Sequence, residues 1–346
     1  MAGLTNFPNG ISSFGIPVLG VASIPFTGKY IWCDPYRGSD AYNGTKDRPV
    51  ATLYKAHSLM RDGYNDVCFL VGSPIAASAS TGTARLSLAL AQSIDSTATV
   101  GTLLWTKSAC HLIGIAAPTS ISQRARIAPV TTGSRATIFN SGNFVTVSGQ
   151  GCFFANFDAF CGFATGGTSQ IAWTDSGGRN CYQNVNIQGK GDAASAADTA
   201  SRSLLVSGSV GENTFINCTI GLDTIKGVDA ATEIQFSGGS PRNRFENCVI
   251  EACAGGTSST WVSIGASGID RYVLFRNCMF TNPVLPASGV AASQMTVGMS
   301  INAAAGGTVQ VMNSMYYGAA TMSTSALVFS NIAAGAAKGG LGVVAS

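Results

Sequence analysis

The sequence predicts an all-β fold, a single-stranded right-handed parallel β-helix in which the chain winds into a solenoid. Three observations lead to this prediction. A short motif returns at nearly constant spacing, which is the signature of a repeat architecture. The 346 residues include 42 glycines, and only 11% are charged. Short apolar runs alternate with small polar turn residues, as expected for many short strands.

The repeated motif is an apolar residue, any residue, Asn, a small residue such as Cys, any residue, and then Ile, Val or Phe. One copy reads Phe215-Ile-Asn217-Cys218-Thr-Ile220. The Asn positions, separated by 28, 33, 30, 30 and 36 residues, are Asn156, Asn184, Asn217, Asn247, Asn277 and Asn313. Each step suits one coil of three strands and three turns, with loop insertions in the longer steps.

The motif also predicts where its side chains lie. Asn tolerates the left-handed backbone conformation of a corner between two strands, and stacked Asn side chains can hydrogen-bond along the solenoid axis. Cys218, Cys248 and Cys278 are expected to form a buried column, because a free Cys packs as a small apolar group. A metal or redox role is the alternative, but these cysteines lie a whole coil apart and no second ligand accompanies each one.

The N-terminal segment, residues 1–28, alternates apolar residues with Gly and Pro and lacks a helical period. It is predicted to be an extended arm that anchors the protein to a partner, with a frayed terminus as the alternative. Its anchoring side chains are expected to be Phe7, Pro8, Phe14, Ile16, Val18 and Leu19.

Residues 29–72 are predicted to hold a first strand at 30–33, a turn-rich loop and a short helix over residues 51–61. Thr52 is the expected N-cap and Gly63 the C-terminal stop. A strand over residues 66–71 follows. The helix is expected to cap the open end of the solenoid, which otherwise exposes core side chains and unpaired strand edges.

Residues 73–330 are assigned to the β-helix body. A Ser/Thr/Ala-rich loop excursion over 73–100 contains one predicted strand at 85–90. Strands over 103–106, 110–115, 125–127 and 136–139 precede the regular stack of coils over residues 144–317. The Ala/Gly-rich tail, residues 331–346, either lacks order or packs as a strand.

Composition narrows the classes of partner. The net charge is +3 without a basic tract, so neither nucleic acid nor a membrane surface is an expected partner. Residues 1–10 lack the features of a secretory signal, and no apolar run is long enough to span a membrane. The ten cysteines are therefore expected to be free thiols. No cofactor and no metal site is predicted.

Few residues are candidates for chemistry. His57 and His111 are expected to be structural. Asp34, Asp40 and Asp47 are expected to be turn residues, with a calcium site as the alternative.

Several stretches resemble known proteins. The pattern Asp34-Pro-x-x-Gly38-Ser-Asp40, with Gly44-Thr45, Pro49-x-Ala51-Thr52-Leu53 and Ala56, resembles the opening of many β-helix proteins with a pectate-lyase-like fold. Residues 111–127 resemble a stretch of tailed-phage virion proteins with β-helix bodies, and residues 4–10 resemble the start of such proteins. These stretches cover about the first third of the chain.

The phage resemblance implies a trimeric decoration or cement protein on the capsid surface, bound to the major capsid protein and assembled in the host bacterial cytoplasm. A tailspike that binds or cleaves host polysaccharide is the alternative. A stand-alone enzyme ranks last, since the sequence shows no export signal.

The enzyme alternatives need carboxylates in a suitable arrangement. Asp158, Asp192 and Asp223 are spaced by roughly one coil, but none forms an Asp-Asp pair or adjoins a His. Residues 241–244 partly resemble the Pro-x-x-Arg element of β-helix lyases, with Gly239 where an Arg is expected. They are interpreted as a turn in which Arg244 pairs with Glu246 or Glu212. No catalytic residue is therefore predicted.

Overall fold

In the computed structural model of the protein, the chain is described over residues 12–13, 16–17, 28–35, 37–72, 89–90, 102–115, 125–128, 141–162, 168–283 and 292–331. All statements below concern these residues.

Two short helices and many short strands make up this part of the chain. The elements of the first half are β1 Ser12–Ser13, β2 Ile16–Pro17, β3 Tyr30–Cys33, α1 Leu53–Leu59, β4 Asp66–Val71, β5 Ala89–Leu90, β6 Leu103–Trp105, β7 Cys110–Ile115, β8 Arg126–Ala128, β9 Ser141–Val147, β10 Phe153–Ala155, β11 Asp158–Phe160 and β12 Thr168–Asp175. Those of the second half are β13 Cys181–Gln183, β14 Asn186–Gln188, α2 Ala193–Ala196, β15 Arg202–Val206, β16 Thr214–Ile216, β17 Thr219–Gly221, β18 Thr232–Phe236, β19 Ser240–Glu246, β20 Val249–Glu251, β21 Thr260–Ile264, β22 Ile269–Arg276, β23 Met279–Thr281, β24 Met295–Val297, β25 Met299–Ile301, β26 Gly307–Met312, β27 Met315–Tyr317, β28 Ala319–Thr321 and β29 Val328–Ser330.

Three parallel sheets form the walls of a solenoid. Sheet 1 has the order β29-β26-β22-β19-β16-β13-β10-β7-β4-β3, sheet 2 the order β27-β23-β20-β17-β14-β11-β8-β5, and sheet 3 the order β25-β21-β18-β15-β12-β9-β6. From β7 onward the chain visits sheets 1, 2 and 3 in turn, so each circuit is one coil stacked on the previous one. The fold is the predicted right-handed parallel β-helix.

Stacked identical positions fill the core. On sheet 1 the inward position of successive coils holds Phe154, Tyr182, Phe215, Phe245 and Phe275. Neighbouring rings in this row have centroids 5.0, 4.5, 4.5 and 4.7 Å apart and are nearly parallel or only slightly tilted. Because parallel strands repeat every ~4.8 Å, in-register aromatic side chains meet at stacking distance.

Helix α1 closes the N-terminal end of the solenoid. The hydroxyl of Thr52 accepts a hydrogen bond from the Lys55 amide at 2.9 Å, which is the predicted N-cap. Leu53 and Ala56 face the core. At the other end of α1 the Lys107 ammonium donates to the carbonyls of His57 and Met60, at 2.7 and 2.6 Å. These bonds tie the helix C-terminus to the coil beneath it.

Sheet 1 begins before the segment assigned to the β-helix body, and the predicted arm reverses direction between β1 and β2. β3 and β4 pair in register with each other, and β4 pairs with β7, so sheet 1 already begins at Tyr30. Residue 72 therefore marks no break between a first segment and the solenoid. Within the predicted arm, β1 pairs with β2 in an antiparallel way, so the chain doubles back there. The side chains of all six anchoring residues lie outside the described residues.

Residues 241–244 form part of strand β19 and not the predicted turn. The pairing of β19 with β22 shifts register between Pro241 and Asn243, and Arg242 has a φ of 52°. A β-bulge thus accommodates the proline inside the strand. The guanidinium of Arg242 pairs with Glu212 at 3.0 Å, and Arg244 pairs with Glu246. Of the two acids expected to pair with Arg244, Glu246 does so, whereas Glu212 pairs with Arg242.

Candidate functional site

The repeated Asn residues lie at the corner between sheet 1 and sheet 2. Their φ values run from 50° to 58°, the left-handed conformation that the motif predicted. Hydrogen bonds join successive side chains between Asn184 and Asn156 at 3.2 Å and between Asn277 and Asn247 at 3.3 Å. The row continues to a residue that the motif search missed, because Asn331 donates to Asn313 at 2.7 Å.

Cys218, Cys248 and Cys278 lie directly after this corner and are free and buried. The thiol of Cys248 donates to the Phe215 carbonyl at 3.4 Å, and that of Cys278 donates to the Phe245 carbonyl at 3.4 Å. Burial raises the pKa of Cys248, so its thiol stays protonated. The column thus supplies small core residues, and Cys248 and Cys278 each also donate to a carbonyl of the coil below.

A second Asn ladder, inside the solenoid, was missed by the sequence analysis. The side-chain oxygen of Asn180 accepts from the Cys152 amide at 2.8 Å, that of Asn213 accepts from the Asn180 amide at 3.0 Å, and that of Asn243 accepts from the Asn213 amide at 3.2 Å. All three Asn side chains are buried. The signal was present in the sequence, since each lies four residues before a corner Asn with an aromatic residue midway between them.

Asp175 is a fully buried carboxylate at the base of this inner ladder. It accepts hydrogen bonds from the Tyr182 hydroxyl at 2.5 Å and from the Asn180 side chain at 2.9 Å. The Trp173 indole in turn donates to Tyr182 at 3.1 Å. Burial raises the pKa of Asp175 although these hydrogen bonds oppose the shift. The network lies in the core and serves the scaffold.

Both histidines are structural. Nε2 of His57 accepts from the backbone amides of Thr106 and Lys107, at 3.2 and 3.3 Å. Nδ1 of His111 accepts from the Phe153 amide at 3.0 Å. Burial lowers the pKa of each to about 4, so both rings are neutral acceptors at physiological pH.

The loop carboxylates serve the backbone. Asp34 accepts from the Arg37 amide at 3.1 Å in a local turn. Asp40 reaches across the loop to the amides of Ala51 and Thr52, both at 3.0 Å, and to the Thr52 hydroxyl at 2.9 Å. Across the described parts of the chain, no three His, Cys, Asp or Glu side chains are grouped so that they could hold a metal ion.

The three carboxylates proposed as one-coil repeats are not brought together. Asp158 pairs with Arg126 on the outer face of sheet 2, and burial raises its pKa to about 7 even though the guanidinium opposes the shift. Asp192 is the N-cap of α2, with its carboxylate accepting from the amides of Ala194 and Ser195. Asp223 lies near Glu251, and burial together with Asp223 and Glu233 raises the pKa of Glu251 to about 7.

Glu251, Glu233 and Asp223 form a group that we call the acidic corner, where sheet 2 turns towards sheet 3. Glu233 is fully buried, pairs with the Lys190 ammonium and accepts from the Ser203 hydroxyl at 2.7 Å. Glu251 has a carboxylate oxygen without a hydrogen-bond partner. A lysine ammonium thus pairs with one carboxyl group, while burial raises the pKa of its neighbour Glu251 to about 7.

A hydrolase built on the two acids whose pKa is about 7 is excluded by their spacing. Asp158 aligns with Asn186, Thr219 and Val249 on successive strands, so Glu251 lies three strand steps away from it. At ~4.8 Å per step the separation is about 14 Å. Glycoside hydrolysis needs two carboxyl groups about 5 to 10 Å apart. Asp158 and Glu251 therefore do not form such a pair, whereas Glu251 and Glu233 lie together in the acidic corner.

Comparisons with solved structures agree with this architecture. A rhamnogalacturonan lyase matches with a TM-score of 0.54 and 15% identity, over 84% of this chain and 68% of that one. A pectate lyase matches with a TM-score of 0.51 and 15% identity, over 83% of this chain and 63% of that one. At this identity the likeness concerns the fold alone. No family model matches the sequence, and no curated protein does.

The class of protein follows from these observations. The chain is a right-handed parallel β-helix protein with a pectate-lyase-like fold, and its repeated Asn and Cys residues belong to the scaffold. Among the helices that the structure describes, none has the length and apolar character needed to cross a bilayer.

Proposed function

We propose that the protein is a structural component of a tailed-phage particle, a decoration or cement protein on the capsid surface. In this proposal residues 1–28 attach it to the major capsid protein, the solenoid is its rigid body, and three copies associate. It is assembled in the cytoplasm of the host bacterium and acts in the virion.

The observation that carries the proposal is that many of the described acidic side chains bind other parts of the scaffold. Asp34, Asp40, Asp175 and Asp192 each bind backbone amides or core side chains. Glu212 and Glu246 lie in exposed ion-pair rows with arginines. A chain whose polar side chains serve coil-to-coil stacking is suited to a mechanical role. The sequence resemblance of residues 4–10 and 111–127 to virion proteins points the same way.

Association into trimers is supported by the composition of the solenoid surface. The whole chain has only 11% charged residues and many small side chains, a composition that permits close side-by-side packing. Met279, Met312, Met315 and Phe329 are also exposed on the last coils. Exposed apolar side chains concentrated in one region are typical of protein interfaces.

Binding to capsids tests the proposal. Purified wild-type protein and a variant lacking residues 1–28 are mixed with undecorated capsids and imaged by electron microscopy. Regular density on the capsid lattice with the wild type, lost on truncation, is expected. Circular dichroism of the truncated variant checks that its body remains folded. A wild-type protein that leaves the lattice bare contradicts the proposal.

A second candidate is a tailspike that cleaves host polysaccharide, and the acidic corner is the observation that favours it. Glu251, with a pKa of about 7, is suited to donate a proton at neutral pH, and Glu233 beside it pairs with the Lys190 ammonium. Solved structures of similar fold include two polysaccharide lyases by name.

The two candidates are separated by the substitution Glu251→Gln. If the protein cleaves host polysaccharide through this corner, the Gln variant is expected to lose at least ~100-fold in rate, since general acid catalysis contributes factors of this size. Glu212→Gln, an exposed ion-paired acid, is the matched control. Equal rates in Glu251→Gln and wild type, or no release of reducing ends by either, eliminate this second candidate.

A further inference from the structure

A second apolar cluster lies apart from the main core, near the N-terminal end of sheet 1. Val67, Ile113, Phe153 and Ala155 are its buried members, and Phe69 and Cys181 pack against them. We call these six residues the apolar seat. Its members belong to β4, β7, β10 and β13, which are four neighbouring strands.

The register places the seat on the outer face of the sheet. Cys68, Leu112, Phe154 and Tyr182 form one in-register row that packs in the main core. The seat residues are the immediate chain neighbours of this row on either side. Because side chains alternate across a strand, the seat points away from the core.

Beyond the seat this face becomes mixed in character. One row continues as Thr214, Arg244 and Leu274, and the other as Gln183, Ile216, Glu246 and Arg276. There the arginines and Glu246 form surface ion pairs. Phe153 and Val67, by contrast, are 1% and 0% exposed although they lie outside the coil. The rings of Tyr30 and Trp32, with centroids 5.6 and 5.0 Å from that of Phe69, shield one side of the patch. The apolar side chains further along it favour an apolar cover.

We propose that residues 1–27 of the same chain cover the apolar seat. The chain enters sheet 1 at the edge of this face, where the Lys29 amide donates to Asp66 at 2.6 Å and the Val67 amide donates to the Lys29 carbonyl at 2.8 Å. Residues 1–27 therefore lead directly into the strand that pairs with Val67. Their apolar residues, among them Phe7, Phe14 and Val18, match the chemistry of the seat.

The dimensions agree with this cover. The seat spans three strand steps, about 15 Å at ~4.8 Å per step. An extended chain advances about 3.3 Å per residue, so fewer than ten residues suffice to cross it. The antiparallel pairing of β1 with β2 shows that the segment reverses direction, which allows it to lie back over the sheet. If residues 1–27 also attach the protein to capsids, they occupy the seat before the protein binds a capsid. Their docking on the seat does not depend on capsid attachment.

Thiol accessibility gives the first test. Cys181 is half-buried at one end of the seat, whereas Cys253 is buried at a distant corner. Removal of residues 1–27 is expected to speed alkylation of Cys181 by maleimide at least tenfold and to leave Cys253 unchanged, as read by peptide mass mapping. Equal rates for Cys181 in the full-length and truncated chains overturn the proposal.

Cross-linking in the full-length chain gives a second test that does not rely on truncation. Phe7→Cys, Phe14→Cys, Ile16→Cys and Val18→Cys are made singly and treated with a short bis-maleimide at low protein concentration. At least one is expected to link to Cys181 within one chain, and Cys181→Ser in the same variant should abolish the link. Links found only between chains would assign the seat to a second copy of the protein. The absence of a link at all four positions would show that residues 1–27 do not occupy the seat. Either result refutes the proposal.

Discussion

At the residue scale, the corner Asn side chains combine two functions. Their backbone adopts a left-handed conformation that costs most side chains about 1 kcal/mol or more. Their amides also link successive coils, as between Asn277 and Asn247. The next position varies among Phe, Val, Cys and Ser, whereas the corner itself holds Asn in six successive copies, a residue that tolerates the left-handed conformation.

The corner predicts a specific order of stabilities. Asn217 has a φ of 53°, so Asn217→Ala is expected to lower the free energy of unfolding by about 1–2 kcal/mol. Asn217→Gly relieves the backbone strain and is expected to cost less, because it loses only the side chain. Urea unfolding followed by circular dichroism measures both. An Ala variant as stable as the Gly variant contradicts the role assigned to the backbone.

Glu251 makes stability depend on pH. Burial, Asp223 and Glu233 raise the pKa of Glu251 to about 7, and its unfolded pKa is near 4.5. Between these values the folded chain holds a proton that the unfolded chain has lost. This contribution to stability is therefore complete below about pH 4.5 and is lost as the pH rises through 7, by up to about 3 kcal/mol.

Glu251→Gln tests this linkage. The variant cannot ionise, so its stability relative to wild type is expected to rise between pH 5 and pH 8, as measured by urea unfolding at both values. Glu212→Gln is the control: hydrogen bonds from Arg179 lower the pKa of Glu212 from 4.5, so its folded and unfolded pKa both lie below pH 5 and its difference from wild type should stay nearly constant over this range. A constant difference between Glu251→Gln and wild type across this range would falsify the assignment of a raised pKa to Glu251.

At the element scale, the strands are too short to be stable alone, and their stability comes from stacking. β16 has three residues, yet its Phe215 ring packs between Tyr182 and Phe245 with both centroids 4.5 Å away. The gain from such a row depends on every coil being in register, since a slip of one residue would turn the aromatic row outward.

The aromatic row predicts a large loss for one truncation. Phe215→Ala removes a fully buried ring and leaves a cavity, so the free energy of unfolding is expected to fall by about 3–5 kcal/mol. Phe329→Ala is the matched control, because Phe329 lies on the same sheet but is 57% exposed. Denaturant unfolding measures both, and similar losses in the two variants would contradict the packing argument.

At the scale of the whole molecule, each coil contacts its neighbours and few residues beyond them. Stability in such an array is approximately a sum of local terms, and unfolding can begin at an end. Helix α1 protects the N-terminal end through the Thr52 cap and the Lys107 bonds to its last carbonyls.

Loss of the cap is therefore expected to act locally. Thr52→Ala removes the N-cap acceptor and the hydroxyl bound to Asp40, a loss of about 1–2 kcal/mol. Hydrogen exchange should accelerate in α1, β3 and β4 and stay unchanged in β16 to β20. Ser58→Ala, an exposed hydroxyl on the same helix, should change neither region. Faster exchange throughout the solenoid in Thr52→Ala would show that the array unfolds as one unit.

The sequence by itself determined the repeat, and through it the fold, the left-handed Asn corners, the cap at Thr52 and the free thiols. These features follow from local conformational preference and from a period of about one coil, both of which can be read along the chain. The inner ladder of Asn180, Asn213 and Asn243 has the same period as the corner Asn residues. It was not predicted, because the corner motif alone accounted for the repeat.

The tertiary structure alone decided which distant residues meet. The acidic corner joins Glu251 to Glu233 and Lys190, and the apolar seat joins β4 to β13, although neither group shares a local motif. Loop insertions of variable length between strands set these contacts, and the bulge at Pro241 shifts one register by a residue. Burial, which depends on those contacts, then fixes the charge of Glu251 and of both histidines.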